Sequence, residues 1–102
     1  MKHSIFCVYD AKAQAYLPPF FLPRKQMAVR AFAECVNSDS HQFGKWPNDY
    51  TLFHVGAFDD ETGLIDSFAP VSLGNGLEHL TVKESPAENP PNLKLISAGG
   101  TD

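Results

Sequence analysis

The sequence predicts a small α+β domain: a mixed three-stranded sheet in the order strand, helix, strand, strand, one helix packed on a face, and a flexible C-terminal tail. Two observations carry this. Stretches of β-branched and aromatic residues are apolar at both alternate positions, and one intervening stretch has apolar residues at helical spacing. A third observation bounds it: 102 residues leave room for one hydrophobic core. We place that core in a single domain over residues 1–80, because residues 81–102 carry Pro86, Pro90 and Pro91 and end Gly-Gly-Thr-Asp, a composition that buries little.

Residues 4–9 read as a strand buried on both sides, with Phe6 and Val8 on one face and Ile5, Cys7 and Tyr9 on the other. A polar, alanine-rich stretch follows. Then comes Pro18-Pro19-Phe20-Phe21-Leu22-Pro23, whose prolines predict an extended connector rather than a helix or central strand. From Pro23 or Arg24 to Asn37, Met27, Ala28, Ala31, Phe32 and Cys35 recur on one helical face, and Pro23 suits the first turn. Residues 41–49 read as a loop, although Phe43 and Trp46 are more than a solvated connector needs. Residues 50–58 are the strongest strand signal, apolar on both faces and hence central. Asp59-Asp60-Glu61-Thr62-Gly63 predicts a hairpin turn, and residues 64–68 the returning strand. Beyond Pro70, Gly74-Asn75-Gly76 predicts a tight turn with little regular structure. The first crossover is expected to be right-handed, and free sheet edges predict a homo-oligomer.

The net charge of −4 argues against indiscriminate attraction to a polyanion. Its distribution is uneven: residues 1–50 hold six Lys/Arg against four acids, and residues 51–102 two against eight. That asymmetry permits a basic face on an acidic protein. Cys7 and Cys35 lie far apart, without the pattern of a disulfide-rich secreted domain, and the first apolar run stops at Asp10, too short for a signal peptide or a membrane span. The expectation is a cytoplasmic protein with no membrane contact.

No motif with a chemical mechanism of its own is present. His3, His41, His54 and His79 and the two cysteines have no paired ligand spacing, so neither a metal site nor a cofactor is expected. Asp59, Asp60 and Glu61 suit a hairpin tip, and Gly74-Asn75-Gly76 lacks the third glycine of a phosphate cradle. Binding is expected rather than catalysis. Tyr16, Phe20, Phe21 and Trp46 interleave with Lys12, Arg24, Lys25 and Lys45, the combination by which single strands stack bases on rings while cations track the backbone. The alternative is that Phe20 and Phe21 plug the edge of the core.

Several segments in consistent order carry a resemblance over residues 1–80. They are Lys12-Ala13-Gln14-Ala15-Tyr16-Leu17-Pro18-Pro19-Phe20-Phe21, Met27-Ala28-Val29-Arg30-Ala31-Phe32, His41-Gln42-Phe43-Gly44, Asp49-Tyr50-Thr51-Leu52-Phe53-His54-Val55-Gly56, Phe58-Asp59-Asp60 and Leu73-Gly74-Asn75-Gly76. Together they resemble the small non-structural protein of gokushovirus-type microviruses, phages with a small circular single-stranded DNA genome. The resemblance implies a DNA-binding protein, absent from the virion and made in the host cytoplasm, that assists the switch from duplex replication to single-strand genome synthesis and packaging. It carries over no binding residue. From charge and aromatic placement we assign the DNA contacts to Lys12, Tyr16, Phe20, Phe21, Arg24, Lys25, Arg30, Lys45 and Trp46, with affinity expected to fall steeply with salt. The alternative is an adaptor that docks on a replication or capsid-assembly protein without direct DNA contact.

Overall fold

The prolines at 18, 19 and 23 decide the first topological choice. In the computed structural model, which describes residues 1–81, the chain leaves strand β1 (Lys2–Asp10) through a tight turn. It then runs back along the same edge as two short strands, β2 (Ala15–Tyr16) and β3 (Phe20–Leu22). Asp10 Oδ1 builds the turn by accepting from the Lys12 and Ala13 amides at 3.0 and 3.2 Å, and Gln14 takes a left-handed φ of 55°. Prolines confine β3 to three residues on the sheet's edge, where a missing amide hydrogen leaves no ladder bond unmade. The segment expected to be a connector is therefore an edge strand.

That return pass reverses the rest of the fold. Leu22 ends opposite Ser4, so helix α1 (Lys25–Val36) starts near the beginning of β1 and climbs back along it. The chain then turns through α2 (Gln42–Lys45) and a 3-10 turn (Pro47–Asp49) and enters β4 (Tyr50–Asp59) opposite Asp10. β4 consequently descends antiparallel to β1, and β5 (Ile65–Asn75) returns antiparallel to β4. Among the described residues every pairing is antiparallel. The sheet has five strands, in the order β2-β1-β4-β5 with β3 beside β1, where a mixed sheet of three was predicted, and no parallel crossover exists to take a hand. A final turn of helix, α3 (Gly76–His79), closes the described chain. Of the expected flexible tail, residues 81–102, all but Thr81 lie outside the described residues.

Helix and sheet meet over one core. Ala28, Phe32 and Val36 of α1 pack on Phe6, Val8, Tyr50 and Leu52, and the register sets Val8 beside Leu52 and Asp10 beside Tyr50, so these sheet residues share a face. The buried helical stripe is rotated from the predicted one: Met27 is 45% exposed and Ala31 is also exposed, while Val36, outside the predicted set, is buried. Arg24 occupies the N-cap in an extended conformation, which puts Pro23 before the helix rather than in its first turn. The loop expected at 41–49 is two short helical turns, tied down by the His41 Nδ1 cap on the Phe43 amide and by packing of Phe43 on Tyr50, ring centroids 4.4 Å apart.

The Gly-Asn-Gly segment is a lock rather than a free turn. Asn75 Nδ2 donates to the Asn48 and Tyr50 carbonyls and to Thr51 Oγ1 at 3.0–3.2 Å. Its Oδ1 accepts from the Leu77 amide while Glu78 Oε2 accepts from the Asn75 amide, a capping box for α3. A Cβ on Gly76 would lie 2.2 Å from the Pro47 carbonyl oxygen, and Gly74 takes φ +118° beneath the His79 ring. His79 in turn engages the Leu73 carbonyl through Nε2 at 2.9 Å. Asn37 closes the other end, donating to the Ala33 and His79 carbonyls and accepting from the Thr81 amide.

Asn75→Ala leaves several of these groups unpaired at once and is expected to lower unfolding free energy by about 1–3 kcal/mol in urea denaturation. Leu52→Ala, at a fully buried central position, is expected to cost about 2–5 kcal/mol by the same measurement.

Candidate nucleic-acid interface

Strands β1 and β4 are apolar on both faces, and the described residues hold one long helix. Alternation therefore dictates what the other face shows. Opposite the helix, β1 presents His3, Ile5, Cys7 and Tyr9. Their register neighbours are Phe58, Phe21, Phe53 and Tyr16: Phe58 opposite His3, Phe21 opposite Ile5, Phe53 opposite Cys7 and Tyr16 opposite Tyr9. Ile5 and Cys7, beside Phe21 and Phe53 in the register, are buried although no helix among the described residues lies on this face.

The rings form two groups. Toward the Asp10 end, Tyr16 meets Tyr9 at 4.9 Å and Phe53 at 5.7 Å between centroids, both edge-on. Toward the Lys2 end, Phe58 meets Phe21 and His3, each at 6.1 Å. There, His3, Phe21, Phe58 and Ile65 line an almost wholly apolar hollow of about 330 Å³. At its rim, Asp60 accepts from the N-terminal ammonium at 2.8 Å and bonds His3 Nε2 at 2.9 Å. The ammonium, followed by His3, holds the Asp60 carboxyl below its ordinary value of 3.8.

The nine residues assigned from the sequence do not converge on one surface. Lys12, in the β1–β2 turn, and Trp46 line a second hollow with Asp49 and Tyr50 at the Asp10 end of the sheet, and Lys45 is the chain neighbour of Trp46. Tyr16 sits on the same hairpin as Lys12, and Phe21 lies further along the open face. Tyr16, Phe21 and Trp46 are 47%, 48% and 63% exposed. Phe20 is different: it is half-buried on Phe6, centroids 5.7 Å apart, and serves the core, the alternative the sequence left open for it. Arg24, Lys25 and Arg30 belong to the helix layer. Arg30 borders a hollow on the outer side of α1 with Gln26, Met27, Ala31 and Glu34, across the sheet from Tyr16.

Sequence reasoning missed Tyr9, Phe53 and Phe58 because it assigned both faces of their strands to the core. The signal that finds them is a count: one helix cannot cover two apolar sheet faces. Both cysteines are free, and burial raises each thiol above its usual range, for Cys35 with the nearby Glu34 adding to it. Among the described residues no three His, Cys, Asp or Glu side chains group as metal ligands, and no helix is long and apolar enough to cross a membrane.

The geometry defines a class: an antiparallel α+β domain with one helix layer and an open aromatic sheet face. Residues 3–79 match the model of the Phage ORF5 protein family, and the chain belongs to that family. It is a phage protein. No curated protein and no solved structure matches it.

Since Asp60 is held in its charged form by the fold, its contribution to stability is present above pH 3.8 and lost as pH falls through its lowered value. Asp60→Asn is expected to flatten the acid limb of a stability-versus-pH curve measured by urea denaturation.

Proposed function

We propose that the protein binds single-stranded DNA on the open face of its sheet. The observation that carries the reading is the row of rings, Tyr9, Tyr16, Phe53, Phe21 and Phe58, left uncovered opposite the helix and flanked at one end by Lys12, Lys45 and Trp46. Bases stack on such rings whatever their sequence, and the two lysines attract the backbone at the point where it would leave the sheet. The described chain is otherwise acidic, so attraction is local rather than general.

Membership of a phage family and the likeness to the gokushovirus non-structural protein support a place for this binding. The protein acts in the bacterial host cytoplasm, by binding and not by catalysis. It holds nascent genome single strand during the change from duplex replication to genome synthesis and packaging. The adaptor reading, docking on a phage replication or capsid-assembly protein, draws its support from the acidic second half of the chain.

Titration of a fluorescent oligonucleotide separates the two readings. Tyr16→Ala and Phe53→Ala are each expected to weaken binding by about 1–3 kcal/mol, roughly 5- to 150-fold, while Arg30→Ala leaves it unchanged. The salt dependence tests the contact set. Lys12 and Lys45 alone give a log–log slope of about −1.4, whereas all five cations assigned from the sequence would give about −3.5. Absence of binding at low salt with tens-of-micromolar protein would leave the adaptor.

A further inference from the structure

Among the described residues strand β5 is the long free edge of the sheet, and it lacks the charges that usually guard one. Residues 65–72 are exposed on both faces, with Ile65 at 61% and Val71 at 53%. Between Leu64 and Leu77 the single charge is Asp66. Natural edges are protected by lysines, by prolines or by being short. β5 runs for eleven residues, and its one such device, Pro70, sits in a bulge where residues 68–70 face Val55 alone.

The backbone on this edge is open to a partner. The Asp59 amide donates to the Leu64 carbonyl at 2.9 Å, so the next hydrogen-bonded pair is Ala57 with Asp66, and alternation turns the N–H and C=O of Ile65 and Ser67 away from β4. Those groups are satisfied best by another strand.

We infer that β5 pairs antiparallel with β5 of a second copy, about a two-fold axis at Ser67. This register sets Ile65 against Ala69 and Asp66 against Phe68, so no like charges oppose each other, whereas centring on Asp66 would put two carboxylates face to face. Leu64, opposite Pro70, already gives its carbonyl to the Asp59 amide and its own amide to Thr62 Oγ1, so the pairing ends there. A DNA backbone is a poor occupant of this edge, because the strand offers it a carboxylate and no cation.

The consequence for the site follows from symmetry. A two-fold axis that joins antiparallel edges into one sheet stands normal to it, so both helix layers fall on one side and both open faces on the other. Ile65, a wall of the aromatic hollow, then lies beside the seam in each copy. The two hollows border a continuous surface along which one strand of DNA can pass from copy to copy. The pairing stands independently of DNA binding; the shared surface rests on the proposed function.

Sedimentation equilibrium of the full chain without DNA, from about 1 to 100 µM, tests the pairing. The expected result is twice the chain mass for the wild type and a single-chain mass for Ile65→Lys/Val71→Lys, whose substitutions fall at exposed positions. Ser67→Pro, which deletes an outward N–H at an edge that tolerates proline, is expected to give the same loss. Circular dichroism checks that each variant keeps the fold. A wild type that remains a single chain throughout, or folded variants that all remain dimeric, overturns the proposal. Tyr16→Ala separates the two ideas, since it is expected to weaken DNA binding roughly 5- to 150-fold while staying dimeric. A monomeric wild type that binds DNA sinks the pairing alone, and a dimeric one that does not sinks the DNA reading alone.

Discussion

One twelve-residue helix lies against a sheet that is apolar on both sides, and the rest of the molecule is arranged around that mismatch. At 1.5 Å per residue α1 spans about 18 Å, enough to seal Phe6, Val8, Tyr50 and Leu52 on its own side and nothing on the other. On the open side the sheet protects itself with rings. Phe21 and Phe53 stand beside Ile5 and Cys7 in the register, and these small apolar side chains are buried while the larger rings are half-buried or exposed. A surface made this way is aromatic, which suits planar ligands that can stack on its rings.

The second structural element is the Asn75 lock. One side-chain amide ties the end of β5 to the backbone before and within β4, and glycines on either side allow the close approach. The 3-10 turn it anchors lies next to Trp46, at the hollow shared with Lys12. A motif with no chemistry of its own therefore positions the hollow at the Asp10 end of the sheet, through hydrogen bonds of the Asn75 side chain and a close approach to the Pro47 carbonyl that a Cβ at Gly76 would prevent.

Electrostatics divides the cations between two layers. Arg24, Lys25 and Arg30 ride with the helix; Lys12 and Lys45 stay at the end of the sheet. On the proposed reading, an acidic chain with two lysines beside exposed rings would hold a polyanion mainly through stacking, which favours a ligand whose bases are unpaired over a duplex whose bases are hidden.

The sequence by itself determined the local elements: the two long strands from their apolar runs, the central place of β4, the helix over 24–37 and the hairpin at Asp59-Asp60-Glu61-Thr62-Gly63, because each depends on periodicity and turn chemistry within a few residues. It also held the resemblance to a phage family. Strand direction was decided only in three dimensions, since it turned on whether residues 15–22 pair with β1, a contact between segments that periodicity does not report. The extent of β5 past Pro70 was likewise set by its partner, through a bulge that lets β4 keep the pairing. The fate of each aromatic ring was decided last and non-locally: Phe20 and Phe21 are neighbours in the chain, but the pleat sends one to the core and the other to the open face.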